Sequence, residues 1–188
     1  MPLVYRLLYL VGFTPWDTGT VPDELTKLVE GEGALAAGRA LDIGCGTGTQ
    51  SAYLAKHGWQ VTGVDAVERP LREARARAAA GDAPVQWLLG DVTRLAELGL
   101  EPGYGLLFDR GCFHGLNAQQ RAAYAAGITA LAEPGATMLM MVLARRFPAC
   151  ASTSAAESQP GVCPSRTICR ISDWSSSLTG VGTPTRRP

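Results

Sequence analysis

RALDIGCGTGT, residues Arg39 to Thr49, decides the fold. The apolar run from Ala40 to Ile43 stops at three glycines, Gly44, Gly46 and Gly48, and a helical pattern follows at once. A buried strand, a glycine turn and a helix N-terminus in immediate succession bring bare backbone amides to one point. That geometry takes the polar and anionic groups of a nucleotide-like ligand.

Working outward on the C-terminal side, strand and helix patterns alternate. The helix after the glycines covers about Gln50 to Lys56 and stops at Gly58. A second strand, Gln60 to Val64, ends at Asp65. A helix from Pro70 to Ala80 carries Pro in its first turn and places Glu68–Arg72 and Glu73–Arg77 as acid-first pairs four residues apart. The third strand, Val85 to Leu89, ends at Gly90-Asp91 and leads into a short helix. The fourth, about Gly105 to Phe108, ends at Asp109. Asn117 and Gln120 then form a capping box for a long helix to Leu131, with Tyr124, Ile128 and Leu131 on its buried face. Pro134-Gly135 reads as a turn into a fifth strand, Thr137 to Leu143. On the N-terminal side, Met1 to Phe13 is patterned as an amphipathic helix, Thr14 to Gly19 as a loop, and Pro22-Asp23 as the start of a helix with Leu25, Leu28 and Val29 inward.

Near-continuous apolar strands alternating with helices predict an α/β fold: a Rossmann-like, doubly wound parallel sheet of five strands covered on both faces. Asp42, Asp65, Asp91 and Asp109 all fall at or beside carboxyl ends of strands, where such sheets hold their ligands.

The 188 residues suit one domain. A formal net charge of zero gives no reason to expect nucleic acid or an anionic membrane as a partner. The apolar run Leu3 to Val11 is broken by Arg6 and falls well short of the ~20 residues of a membrane span, and it lacks the features of a signal peptide. Five cysteines without paired spacing and only two histidines, His57 and His114, give no metal-ligand set. A reduced, cytoplasmic protein is expected.

The glycine spacing separates two ligand classes. A dinucleotide loop runs G-x-G-x-x-G, whereas here Gly48 arrives one residue early and Thr49 takes the dinucleotide position. Asp42 precedes the loop; a carboxylate there repels a pyrophosphate and attracts an amine or a sulfonium. Asp65 lies 21 residues after Gly44 at a strand end, placed to accept ribose hydroxyls. These features favour S-adenosylmethionine over NAD(P), leaving an oxidoreductase as the weaker alternative.

LDIGCGTG, VTGVD, LLGDV, LLFDRGCFHGL and LAEPGATMLMMV together resemble the class I S-adenosylmethionine-dependent methyltransferases, from about Pro2 to Leu143. TPWDTGTVPDEL is similar to a bacterial small-molecule subgroup that includes thiopurine S-methyltransferases. The resemblance implies that Gly44, Cys45, Gly46 and Gly48 let the backbone approach the cofactor, with Asp42 at its methionine end. It implies Asp65 at the ribose, Asp91 and the Val92 amide at the adenine, and Asp109-Arg110-Gly111 beside the sulfonium. Trp16 and Thr20 resemble the segment that covers it. Structural readings stand beside these: a helix cap for Asp91, a strand-end cap for Asp109, core packing for Trp16, and a small buried residue for Cys112. His114 is the one candidate base, or a histidine packed against the following helix. Methyl transfer from a sulfonium is an in-line displacement that chiefly requires alignment and exclusion of water, so a base is needed only for weakly acidic acceptors. A small-molecule acceptor with a sulfur, oxygen or nitrogen nucleophile is implied.

Residues 1–146 therefore read as the cofactor-binding domain, with 1–38 as its N-terminal cap segment. Residues 147–188 depart from the pattern. They are rich in Ser, Thr, Pro and Arg, and nothing in them resembles the antiparallel hairpin with which this family's sheet ends. A shifted reading frame or a disordered tail is expected, leaving Met138 to Leu143 as an exposed apolar edge. A catalytically impaired remnant that still binds the cofactor is the alternative to a working enzyme.

Overall fold

The computed structural model describes residues 19–79, 84–141 and 166–170, the last as backbone only. The expected helix over Met1 to Phe13, and Trp16, lie outside the described residues.

Helix α1 (Asp23–Val29) precedes strand β1 (Arg39–Ile43), α2 (Thr49–Lys56), β2 (Gln60–Asp65), α3 (Glu68–Ala79) and β3 (Val85–Leu89). A 3-10 segment over Val92–Glu97 leads to β4 (Tyr104–Arg110), a second over Phe113–Gly115 to α4 (Ala118–Leu131), then β5 (Ala132–Met141) and β6 (Arg166–Arg170). The strands lie in the order β3-β2-β1-β4-β5-β6. The first five are parallel, and β1 is the switch point, with β2 on one side and β4 on the other.

Residue alternation along each strand sorts the core into two layers. Leu41, Ile43 and Leu107 pack with Val92, Leu95, Tyr124, Ile128 and Leu131 on the α4 face. Ala40, Leu106, Phe108 and Leu139 pack with Leu25 of α1 and Leu54 of α2 on the other. The predicted capping box is present in full: the Asn117 side chain accepts from the Gln120 amide at 2.9 Å, and Gln120 reciprocates at 3.0 Å.

Three expectations are corrected. Glu68 pairs with Arg75 at 2.7 Å rather than with Arg72, and Glu73 lies 3.7 Å from Arg69. Arg77 instead donates to the Thr47 hydroxyl at 3.2 Å, because α3 packs beside the glycine loop and the loop offers a closer acceptor. Pro134-Gly135 does not precede β5 but bulges out of it: Tyr104 pairs with Ala132 and Leu106 already with Thr137, so the residues between are extruded, with Gly135 at φ 84°. Finally, β5 is not an open edge. Arg166–Arg170 runs antiparallel to it, with Thr137 opposite Arg170 and Met141 opposite Arg166. The alternation R-T-I-C-R suits a strand at a sheet margin, with arginines at its ends.

Candidate functional site

The glycine loop turns through three positive φ angles, 76° at Gly44, 55° at Gly46 and 79° at Gly48. Its amides are not bare, contrary to expectation. Gly44 and Cys45 both donate to the Val64 carbonyl, at 2.8 and 3.1 Å, and Gly48 donates to the Cys45 carbonyl at 2.9 Å. Gly46 donates to the Asp65 carboxylate at 3.0 Å. These donors are spent inside the protein, so the loop is not a phosphate cradle of the kind that depends on them. Close packing fixes its shape: a Cβ on Gly48 would stand 2.4 Å from the Trp87 ring, and one on Gly63 would stand 2.9 Å from the same ring and 3.0 Å from the Cys45 sulfur. Trp87 thus packs directly against the glycine loop and helps to fix its shape.

Asp42 is 2% exposed and accepts a 2.6 Å hydrogen bond from the Ser51 hydroxyl of α2. Burial pushes its carboxyl up to about 7; the Ser51 bond opposes this, and the charges of Asp65 and Asp109 add to it. Asp65 is held by the Gly46 amide on one oxygen and the Val67 amide, at 2.9 Å, on the other. Its carboxyl is also raised, burial outweighing those two bonds.

Asp109 faces the opposite way. It shares the parity of Leu107 along β4 and so points to the α4 side. There its carboxylate accepts from the Cys112 amide at 2.7 Å, the Phe113 amide at 3.0 Å and the Tyr124 hydroxyl at 2.5 Å. It is fully buried and raised to about 6, burial prevailing over the Tyr124, Cys112 and Phe113 bonds. Asp109 therefore anchors the loop after β4, as in the strand-end-cap reading.

Asp91 likewise caps the 3-10 segment after β3, one oxygen accepting from the Thr93 amide at 2.9 Å and its hydroxyl at 2.8 Å. The Val92 side chain is in the core. The Cys45 side chain turns into the sheet, and burial raises both its thiol and that of Cys112 well above the ordinary value. His114 lies against Gly111, 3.2 Å from where a Cβ would stand. Burial, and then the nearby Arg121 charge, lower its pKa, which keeps the imidazole neutral near pH 7. Thr20 and Arg110, expected at the site, meet each other: Arg110 donates to the Thr20 carbonyl at 2.9 Å, and Gln50 donates to the same oxygen at 3.2 Å.

The glycine turn and the buried carboxylates of Asp42 and Asp65 stand together at the carboxyl ends of the parallel strands, with no metal-binding cluster among the described residues. Residues 40–135, about half the chain, match the family model described as a methyltransferase domain. The chain belongs to this methyltransferase family.

It is 30% identical to an S-adenosyl-L-methionine-dependent Diels-Alderase of Talaromyces variabilis over 71% of the chain and 48% of that protein, so it spans about half the length of this relative. It superposes with TM-score 0.68 and 28% identity on a structure solved for the conversion of a disulfide bond into a thioacetal group during echinomycin biosynthesis, covering 78% of this chain and 63% of that one. A Burkholderia thailandensis 1,6-didemethyltoxoflavin-N1-methyltransferase, solved with 1,6-didemethyltoxoflavin and S-adenosylhomocysteine, superposes with TM-score 0.61 and 26% identity over 73% of this chain and 58% of that one. No helix among the described residues is long and apolar enough to cross a membrane.

Proposed function

We propose that this chain binds S-adenosylmethionine at the glycine loop and transfers its methyl group to a small-molecule sulfur, oxygen or nitrogen nucleophile. One observation carries the reading. The loop amides that would hold phosphates are consumed internally, while two buried carboxylates, Asp42 and Asp65, stand at the same strand ends. Such a site favours a cationic, phosphate-free ligand over a dinucleotide. The fit is physical: a positive charge close to Asp42 offsets the burial cost that raises its carboxyl.

When bound, the cofactor supplies a methyl group on a cationic sulfonium. The chain's own residues do the rest. Asp42, oriented by Ser51, attracts the cationic end. Asp65, its position fixed by the Gly46 and Val67 amides, is the candidate for the ribose hydroxyls. Asp109 and Tyr124 fix the Cys112–Leu116 loop that carries neutral His114, the candidate to take the proton from a hydroxyl nucleophile or the one an amine nitrogen sheds as it is methylated. The Thr20 segment, drawn in by Gln50 and Arg110, helps exclude water.

Titration calorimetry with S-adenosylmethionine, S-adenosylhomocysteine and NAD tests the reading. Binding of the first two and not the third is expected; a folded protein that binds neither refutes it. A second reading, cofactor binding without methyl transfer, draws on the Diels-Alderase relative, whose name pairs this cofactor with a different reaction. Counting labelled methyl groups transferred to a panel of thiols, phenols and amines, thiopurines included, separates the two.

A further inference from the structure

Two side chains from opposite sides of the switch point converge on one backbone oxygen. Gln50 stands in the first turn of α2, beyond β1, and Arg110 is the last residue of β4. They are separated from Thr20 by 30 and 90 residues of chain, and both donate to its carbonyl. Gln50 is only 9% exposed, so its amide nitrogen is committed to this contact rather than to solvent.

The rest of the neighbourhood shows what this contact restrains. Helix α1 is docked independently, through fully buried Leu25 and through Glu30, which accepts from the Tyr53 hydroxyl at 2.5 Å and pairs with His57 at 3.0 Å. Its N-cap, Pro22, makes no side-chain capping bond. Among the described residues, nothing lies within 4 Å of where a Cβ on Gly19, at φ 65°, would be. Just before the docked helix, the Thr20 carbonyl is fastened over the switch point of the sheet, between the first turn of α2 and the end of β4.

We propose that Gln50 and Arg110 are positioning residues forming a clasp on Thr20, and that opening this clasp gates release of the bound cofactor product. This rests on the cofactor reading above and reassigns Arg110 from ligand contact to fastening. Because both donors share one acceptor, their effects are coupled: losing either loosens the other.

The test uses the full chain with Gln50→Met and Arg110→Met, which keep side-chain length and remove the donors, the double variant, and Arg110→Lys as the conservative rescue. Stopped-flow displacement of S-adenosylhomocysteine is expected to show dissociation about tenfold faster in each single variant, with association changed far less. The double variant should be less than multiplicative, and Arg110→Lys intermediate. In the ligand-free protein, hydrogen exchange of a peptide spanning residues 19–25 should quicken in the Met variants while peptides from α4 stay unchanged. Unaltered dissociation and exchange in folded variants overturn the clasp. A wild-type chain that binds no S-adenosylhomocysteine overturns the cofactor reading instead, and the exchange measurement still decides whether the clasp exists.

Discussion

Asp42→Asn should make the ligand-free protein more stable and the site worse. Burial lifts the Asp42 carboxyl from 3.8 to about 7. The sign follows from proton linkage: between those values the folded chain holds a proton that the unfolded chain has lost, so stability falls as pH rises through that window. Above about pH 7 the penalty is complete, roughly 4 kcal/mol; near pH 4.5 it is about 1 kcal/mol. Asparagine can still accept from Ser51 and carries no charge to bury, so the variant escapes this cost. Its advantage over wild type should therefore be about 3 kcal/mol larger at pH 8 than at pH 4.5, roughly 6–12 °C in Tm for a chain of this size. Differential scanning calorimetry of both proteins at the two pH values gives the comparison directly. The same variant should lose most of the thermal shift that S-adenosylmethionine confers on wild type at pH 8. A variant less stable than wild type by the same amount at both pH values would refute the reasoning, because the carboxylate would then be contributing packing and not charge burial.

Affinity for S-adenosylmethionine should rise as pH increases toward about 7 and then level off, since a cationic ligand favours ionised Asp42; calorimetry across a pH series, with heats measured in two buffers to detect proton release, checks it. Tyr124→Phe removes a 2.5 Å bond from fully buried Asp109 and should cost about 1–3 kcal/mol in urea unfolding, the loss being greater at pH 8 than at pH 5 because it raises further a carboxyl already at about 6. Gly48→Ala drives a methyl 2.4 Å from the Trp87 ring at a positive φ; a loss of about 2–4 kcal/mol is expected, and a neutral outcome in denaturant titration would show that Trp87 can yield. Asn117→Ala should cost about 1 kcal/mol of stability and leave cofactor affinity unchanged, since the cap it removes lies on α4.

The sheet was legible because its strands announce themselves locally: apolar runs such as Ala40–Ile43 and Val61–Val64 end at Asp or Gly, and the long helix after β4 carries its own capping box. The carboxylates were legible as a group and not individually. Asp42 and Asp109 look alike in sequence, but pairing sets Asp42 beside Phe108 and Ile43 beside Asp109, so the two point to opposite faces of the sheet. One meets α2 and Ser51; the other meets α4 and Tyr124. The partners that decide each role are remote contacts no local pattern encodes. Ser51, Gln50 and Trp87 were missed for that reason, each acquiring its part only through tertiary packing. β6 was missed for another: five residues of alternation within a Ser/Pro-rich stretch are too short to stand out, and the backbone donors and acceptors along β5 supply what local propensity does not.

The bulge in β5 offers a practical handle. Glu133, Pro134 and Gly135 are exposed, and they leave the sheet beside Tyr104, at the start of β4, while Asp109 and Arg110 sit at that strand's far end. Six residues of strand separate the two, about 20 Å. A fluorophore, an affinity tag or new chain termini placed at Gly135 would report on the protein, or immobilise it, from the side away from its ligand.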